Sequence, residues 1–316
     1  MKKTLLFSVL FIGILILGFQ QKSQGQNVEV KDDENTFTGA LALTEVGRQI
    51  DLPMKGGKKE PTSQGVKTIT VSQNVKRKII EREVLIHYPE NIDSGKSYPV
   101  VFAFHGNGGL NDEWVDIFGK FVNSAEFIGI YPQGYLRSWN LGQEESHADD
   151  VEFFNMIVKK IADYPNLDMN RIYGIGYSNG SGLVNKLAIK TSHFKAIAAC
   201  ATQLIKGQEP TNSTNAVSVY QLCGTVDRII PYEGGLSPVG HTFLSAKKSA
   251  ERWAKQFNCN LTPEIEFIRA DSLFIYSDCQ SNREIRFQRV ENGGHGLNQE
   301  NDPDFYARIW RFLKSQ

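Results

Sequence analysis

The chain has no excess of charge of either sign, because 35 Lys and Arg residues balance 35 Asp and Glu residues. Proteins that bind nucleic acid usually present a basic face, so the composition gives no electrostatic reason to expect such a partner. The H-E-x-x-H motif is also missing, and the four cysteines lack the close paired spacing of zinc sites. We therefore expect no metal site.

No apolar stretch reaches the roughly 20 residues that a membrane-spanning helix needs. The run Leu5–Phe19 follows two lysines, Lys2 and Lys3, and precedes the small-x-small sequence Ser23-Gln24-Gly25. A basic start, a short apolar core and such a site are typical of a secretory signal peptide. We predict that residues 1–25 are removed and that the protein is secreted or periplasmic, without stable membrane insertion. A retained membrane anchor is the alternative.

Cysteine is scarce, and export makes the four cysteines candidates for disulfides. Four cysteines allow three pairings, between which sequence alone cannot choose. We favour Cys259 with Cys279, which flank a short stretch late in the chain. Cys200 and Cys223 each end a strand-like run, and they either face each other or remain buried thiols.

The chain divides into residues 1–25, a polar extension or linker over 26–66, and one catalytic domain over 67–316. Strands and helices alternate within that domain. Strands are predicted at 68–71, 83–88, 99–104, 127–131, 171–177, 196–201, 217–223 and 285–290, and helices at 150–162, 182–190, 245–257 and 303–313. Apolar strands alternating with helices predict an α/β fold whose mostly parallel central sheet has helices on both faces. Ligands of such sheets bind at the carboxyl ends of the strands.

The pattern G-x-S-x-G occurs once in such a place, as Gly176-Tyr177-Ser178-Asn179-Gly180. The pattern alone is weak evidence, but here it follows a predicted strand and precedes a predicted helix. That setting is typical of a nucleophile elbow, whose glycines leave room for a tight turn. We predict that Ser178 is a nucleophile. A glycine-rich turn with a surface serine is the alternative.

A serine hydroxyl needs a base to take its proton, and the expected order along this fold is serine, acid, histidine. His295 lies in a glycine-rich loop after the strand 285–290 and before the last helix. Asp227 follows the strand 217–223, where its carboxylate can orient the imidazole. Asp271 and Asp278 compete for that role, and Asp227 itself has a turn-forming alternative.

Acyl transfer also needs hydrogen-bond donors for a developing oxyanion. The amide of Asn179, directly after the serine, is one candidate. The second is the amide of Asn107 in the loop His105-Gly106-Asn107-Gly108-Gly109, which follows the strand 99–104 and is HGGG-like. A simple strand-to-helix turn is the alternative for that loop.

Several further motifs stand in order with these. They are Tyr131-Pro132-Gln133-Gly134, Ser138-Trp139-Asn140, Asp149-Asp150-Val151, Gly224-Thr225-Val226-Asp227, Pro231-Tyr232-Glu233-Gly234-Gly235 and Gly293-Gly294-His295. The ordered set resembles the secreted feruloyl esterase and polyhydroxybutyrate depolymerase family, close to family 1 carbohydrate esterases, over residues 80–315. The resemblance implies an α/β-hydrolase fold and a triad of Ser178, Asp227 and His295. Cys223 departs from the family, which often has histidine there.

The resemblance also makes the region of Trp139 a wall of the substrate cleft. The Trp139 ring can stack on a sugar or a feruloyl ring, or it can pack beneath a loop. We expect His105 and His241 to contact substrate as well. Asp149 and Asp150 form an acidic pair, but acids suit the start of the helix 150–162 better than they suggest glycoside cleavage.

These patterns predict a serine esterase that acts through an acyl-enzyme and needs no cofactor. The favoured substrates are feruloyl or acetyl esters of plant cell-wall xylan or small esters, with a polyester depolymerase second and a serine peptidase third. A non-catalytic carbohydrate-binding protein is the alternative of another class.

Overall fold

The computed structural model describes residues 65–316. The predicted signal peptide, and nearly all of the predicted extension over 26–66, lie outside the described residues, so the domain division stays a prediction. The described strands are β1 Val66–Val75, β2 Lys78–His87, β3 Tyr98–Phe104, β4 Ile128–Pro132, β5 Leu167–Tyr177, β6 Phe194–Cys200, β7 Ser218–Gly224, β8 Gly235–Leu236, β9 Thr242–Phe243, β10 Glu264–Ile268, β11 Asp271–Tyr276 and β12 Ile285–Val290. The described helices are α1 Glu113–Asn123, α2 Asp150–Ile161, α3 Asn179–Lys190, α4 Ala246–Gln256 and α5 Phe305–Lys314.

Ten of these strands form one sheet in the order β1-β2-β4-β3-β5-β6-β7-β12-β11-β10. The six strands from β4 to β12 run parallel, and antiparallel hairpins close both edges. The small ribbon β8–β9 is separate. The structure confirms the predicted α/β fold with a mostly parallel sheet.

Alternating side chains of the central strands point into two apolar cores, one on each face of the sheet. Along β3, Val100, Phe102 and Phe104 join the core that holds α2, α3 and α4. Val101 and Ala103 join the core that holds α1 and α5. Because both faces are covered, the strands β3 and β4 at the centre are apolar and nearly fully buried, with no alternating polar side.

Several features differ from the sequence predictions, including the unpredicted short strands β8 and β9. The helix α1 and the hairpin β10–β11 are not among the predicted elements. The helix α3 begins directly after Ser178 rather than at 182, although Gly180 and Gly182 are poor helix formers. Packing overrides propensity there, because a Cβ at Gly182 would lie 2.4 Å from Leu141 Cδ1.

Cys259 and Cys279, the favoured pair, form a disulfide, whereas Cys200 and Cys223 are buried free thiols. Burial raises the pKa of both thiols. Among residues 65–316, no helix is long and apolar enough to cross a membrane. Over the same residues, no three His, Cys, Asp or Glu side chains are grouped so as to hold a metal ion.

Candidate active site

Ser178 stands at a sharp turn between β5 and α3. Its backbone has φ 53° and ψ −119°, a conformation that costs a non-glycine residue of order 1–3 kcal/mol. The turn is held because the Ser178 amide donates to Cys200 O at 2.9 Å, while the Ser178 carbonyl accepts from Ser181 N and Gly182 N. The strained turn therefore fixes Ser178 at the carboxyl end of β5, above the sheet.

The two flanking glycines are required by close backbone approach. A Cβ at Gly176 would lie 2.2 Å from Gly180 O, and a Cβ at Gly180 would lie 2.2 Å from Phe104 O. Neither backbone oxygen has room to move, so any side chain there would displace the turn. The start of α3 thus packs directly against the end of β3.

His295 bridges Ser178 and Asp227. Its Nδ1 lies 2.8 Å from Asp227 Oδ2, and its Nε2 lies 2.8 Å from Ser178 Oγ. An ionised carboxylate only accepts hydrogen bonds, so Nδ1 carries the proton and donates to Asp227. In the neutral imidazole Nε2 is then free to accept the serine proton, which is the arrangement that a general base needs.

Asp227 is held by its own loop and by contact with the loop of His295. Its second oxygen, Oδ1, accepts from Ile229 N at 2.8 Å and from Ile230 N at 3.0 Å. At the end of β7, a Cβ at Gly224 would lie only 2.2 Å from Gly293 O. The backbones after β7 and β12 therefore touch, which brings the acid and the base together.

The competing acids lie elsewhere. Asp271 accepts from Glu291 N at 3.0 Å through Oδ1 and from the Gln288 side chain at 2.6 Å through Oδ2. Both of its oxygens therefore tie β11 to β12. Asp278 is exposed. Neither contacts His295, so the geometry favours Asp227.

The glycine-rich loop after β3 lies beside Ser178. A Cβ at Gly106 would be 3.6 Å from Ser178 Cβ, and Gly108 N donates to Arg137 O at 2.7 Å. Within residues 65–316, the amides of Asn107 and Asn179 donate no hydrogen bond to a protein acceptor. Both residues line the same cavity as Ser178, so two unused donors stand where an oxyanion would form.

That cavity has a volume of about 280 Å³ and opens to solvent. Ser178, Asn107 and Asn179 contribute to its lining, and so do His241 and Glu144. A space of this size suits one substituent of a substrate, of about the size of a substituted ring. The arrangement can attack a carbonyl carbon, stabilise the resulting oxyanion and shuttle one proton.

Comparison with known proteins gives a consistent class. No family model matches the chain. Feruloyl esterase B of Piromyces equi is 25% identical over 229 residues, 68% of this chain and 42% of that protein. Probable feruloyl esterase C of Aspergillus flavus is 25% identical over 170 residues, 51% of this chain and 60% of that protein. The match spans less than two thirds of the length of both.

Feruloyl esterase D of Neurospora crassa matches over a larger share, being 22% identical over 282 residues, 83% of this chain and 90% of that protein. The solved acetyl xylan esterase from Aspergillus awamori has the same fold, with a TM-score of 0.56 at 14% identity over 79% of this chain and 98% of that one. A solved thermostable esterase has a TM-score of 0.54 at 16% identity over 80% of this chain and 63% of that one. The chain is therefore similar in sequence to feruloyl esterases and has the fold of an α/β-hydrolase.

Trp139 is a support beneath the site and not a wall of the cleft. The side chain is 0% exposed, and its Nε1 donates to His105 O at 2.8 Å. Its backbone is tied to α3, because Trp139 N donates to Asn179 Oδ1 at 2.7 Å and Asn179 Nδ2 donates to Trp139 O at 2.9 Å. The expectation that this ring stacks on substrate is wrong, since the side chain is fully buried and does not line the cavity.

His105 is also buried, at 1% exposed, and does not line the cavity. Its Nε2 accepts from Gly134 N at 3.0 Å and its Nδ1 lies 2.7 Å from Gly106 O. Burial, opposed by the Gly106 hydrogen bond and helped by Arg137 and Arg82, lowers the pKa of His105 to about 4. The expected contact with substrate is therefore wrong: a neutral His105 joins the oxyanion loop to the loop after β4.

Arg82 and Asp150 form a buried ion pair, 2.7 Å apart, under the same loop. The second carboxylate oxygen of Asp150 accepts from Asn140 N at 2.6 Å, which fixes the segment that carries Trp139. Arg82 is absent from the sequence predictions, although it lies in phase with the buried Val84 along β2 and that position marks it as inward-facing.

Asp149 has the predicted helix-start role. It caps α2, because its side chain accepts from Val151 N and Glu152 N. A negative side chain at this end is favoured by the helix dipole and by the unpaired amides of the first turn. The acidic pair therefore supports the loop after β4 and the helix that follows it.

His241 is the one predicted substrate residue among Trp139, His105 and His241 that lines the cavity. Its Nε2 lies 2.8 Å from Glu144 Oε1. Glu144 is absent from the sequence predictions, because its partner lies 97 positions away and no local pattern marks the pair.

Proposed function

We propose that this protein is a serine carboxylic-ester hydrolase that works through an acyl-enzyme. The observation that carries the proposal is the run of two 2.8 Å contacts from Asp227 through His295 to Ser178, at the mouth of a cavity that also holds two unused amides. Such a constellation is what nucleophilic acyl transfer requires.

In the first half-reaction, Ser178 Oγ forms a bond to the ester carbonyl carbon while its proton passes to His295 Nε2. The carbonyl oxygen becomes an oxyanion that accepts hydrogen bonds from the amides of Asn107 and Asn179; one such donor contributes about 10²–10³ in rate. The bond from the carbon to the alcohol oxygen then breaks, and His295 gives the proton to that oxygen.

In the second half-reaction, water takes the place of the alcohol. His295 removes a proton from the water as its oxygen bonds to the acyl carbon. The bond to Ser178 Oγ breaks, the proton returns to Ser178, and the acid leaves. Asp227 keeps the imidazole in one tautomer through both steps and stabilises its charged form.

We propose feruloyl or acetyl esters of plant cell-wall polysaccharide, or related small esters, as the substrates. The names of the curated relatives support this class, and the solved acetyl xylan esterase shares the fold. Polyester depolymerisation is the second candidate of the same chemistry. Carbohydrate binding without catalysis is disfavoured, because binding alone does not need a base hydrogen-bonded to a serine.

The test is to incubate the protein with methyl ferulate, acetylated xylan and a short-chain aliphatic polyester side by side. We expect hydrolysis of at least one cell-wall-type ester, and loss of that activity in Ser178→Ala with the circular dichroism spectrum unchanged. Faster turnover of the polyester would contradict the substrate class. Full turnover by Ser178→Ala would contradict the mechanism.

We further propose that the protein acts outside the cytoplasm. The basic start and short apolar run of residues 1–25 support export, and the disulfide between Cys259 and Cys279 is typical of oxidising compartments. Mass spectrometry of the exported protein should give a chain that begins at Gln26. An intact Met1 on the exported protein would contradict cleavage.

A further inference from the structure

The cavity beside Ser178 lies to one side of the catalytic groups. Its lining includes Ser178 and the two candidate oxyanion residues but, among the described residues, neither His295 nor Asp227. The alcohol leaving from the carbonyl carbon must lie against His295 Nε2 to receive its proton. The cavity on the opposite side of Ser178 therefore accepts the acyl group, and the alcohol stays on the side of His295.

The acyl cavity is mainly apolar. Leu141, Ile230, Val239 and Phe243 contribute its apolar lining. Such walls favour the body of an aliphatic or aromatic acyl group, because each apolar area removed from water contributes favourably. A bare acetyl group would leave most of a 280 Å³ space empty.

His241 and Glu144 are the titratable pair in this apolar lining. His241 is 3% exposed, and its Nε2 faces Glu144 Oε1 at 2.8 Å. Its other ring nitrogen, Nδ1, makes no hydrogen bond within residues 65–316. Nδ1 is nevertheless partly accessible to solvent, because it is not one of the fully buried polar atoms that lack a partner there. Because the ring lines the cavity, the free nitrogen is open to a bound group.

Glu144 sets which proton His241 carries. The second oxygen of Glu144 accepts from the amides of Leu141, Gly142 and Gln143 at 2.6–3.1 Å. Burial alone would raise the pKa of this carboxyl, but hydrogen bonds from His241 and from the Gln143 and Leu141 amides outweigh it and lower the pKa. An ionised Glu144 only accepts, so His241 holds its proton on Nε2 and presents the lone pair of Nδ1 to the cavity.

We propose that His241 Nδ1 accepts a hydrogen bond from a hydroxyl group on the acyl part of the substrate, with Glu144 as the positioning residue. The enzyme then selects acyl groups that combine an apolar body with a hydroxyl, such as hydroxycinnamoyl groups, over the same groups without the hydroxyl. This inference rests on the proposed esterase function. One neutral hydrogen bond of this kind corresponds to about a fivefold preference in kcat/KM.

The test compares three methyl esters: 4-hydroxycinnamate, cinnamate and 4-methoxycinnamate. The wild type should prefer the hydroxy ester over cinnamate by about fivefold, and His241→Ala should bring that ratio close to one. His241→Phe, which keeps a ring in place, serves if the alanine variant does not fold. An unchanged ratio in a folded His241 variant would overturn the proposal.

Glu144→Gln gives a second, opposite readout. The amide oxygen must stay with the three backbone donors, so the NH₂ group faces His241 Nε2 and shifts the proton to Nδ1. A protonated Nδ1 donates to the methoxy oxygen as well as to the hydroxyl oxygen, so the preference for hydroxy over methoxy ester should fall. Glu145→Gln, at the adjacent exposed position, is the matched control and should keep the wild-type ratios.

Failure of the proposed esterase function and failure of the proposed His241 role give different results in these experiments. If the wild type cleaves no ester at all, the proposed function is wrong. If the wild type cleaves these esters and neither His241 nor Glu144 variants change the ratios, only the role of His241 is wrong. Equal effects of Glu144→Gln and Glu145→Gln would also overturn it.

Discussion

Two histidine–carboxylate pairs flank the same serine, and they differ in what lies beyond the imidazole. In each pair a ring nitrogen lies 2.8 Å from a carboxylate oxygen. The second nitrogen of His295 reaches Ser178 Oγ, whereas that of His241 has no partner among the described residues. Equal geometry therefore serves proton transfer in one pair and, we propose, recognition in the other.

The two pairs are also held by different means. The pair of Asp227 and His295 rests on backbone contact, since Gly224 meets the carbonyls of Gly293 and Gly294 with no space for a Cβ. The pair of Glu144 and His241 rests on backbone amides of a surface loop, which donate hydrogen bonds to the Glu144 carboxylate. Backbone contact positions the reacting atoms accurately. Loop contacts tolerate substitutions better, so the lining of the acyl cavity can vary in sequence.

Removing the charge of the catalytic pair should have the largest effect. Asp227→Asn keeps the shape of the side chain but favours the wrong tautomer of His295, so kcat should fall about 10⁴-fold. The measurement is steady-state hydrolysis of methyl ferulate at neutral pH. The matched change in the other pair, Glu144→Gln, should alter selectivity with at most about a tenfold loss of rate. Similar losses in both variants would remove the distinction between the pairs.

The buried His105 sharpens the comparison because, among residues 65–316, no carboxylate hydrogen-bonds to it. Its pKa of about 4 in the folded protein lies below the ordinary 6.5, so between these pH values the unfolded chain binds a proton that the folded chain does not. Stability should therefore fall as pH drops from 6.5 to 4, by about 3 kcal/mol from this group. Urea unfolding at both pH values measures it, and His105→Asn should flatten the slope. If stability depends on pH equally in the wild type and in His105→Asn, His105 is not a neutral buried group.

Because the two pairs differ in backbone support, we expect a glycine-to-alanine substitution to cost more beside the catalytic pair than beside His241. Gly224→Ala should force the loops of Asp227 and His295 apart and lower kcat about a hundredfold, because a shift of about 1 Å at reacting groups has that cost. Gly240, next to His241, has φ +87° but its nearest Cβ neighbour is a side-chain oxygen at 3.2 Å. Gly240→Ala should cost only about 1 kcal/mol of stability from backbone strain. Comparable kcat losses would show that both regions are equally rigid.

Much of the fold follows from the sequence because the central strands are buried on both faces. Their unbroken apolar runs, such as Val100–Phe104 in β3, mark strands that end where the chemistry begins. The edge strand β10 is harder to predict, since Ile265 and Phe267 are exposed and no core imposes their pattern. An edge strand such as β10 is placed by pairing with its neighbour along the chain, β11, and not by burial of its side chains.

The three residues of the proposed triad follow from topology, whereas the cavity does not. Ser178, Asp227 and His295 each come soon after an apolar strand, so their common edge is predictable. Whether Trp139 lies over or under the site depends on how the loop after β4 folds. No local sequence pattern predicts that conformation. Glu144 is found only in three dimensions, through its contact with His241.

The most direct test of the central claim is to treat the protein with a fluorophosphonate and locate the adduct by peptide mass spectrometry. A serine activated by His295 should give one adduct per chain, on Ser178, and His295→Ala should lose most of it while staying folded. An adduct at another residue, or undiminished labelling of His295→Ala, would contradict the account.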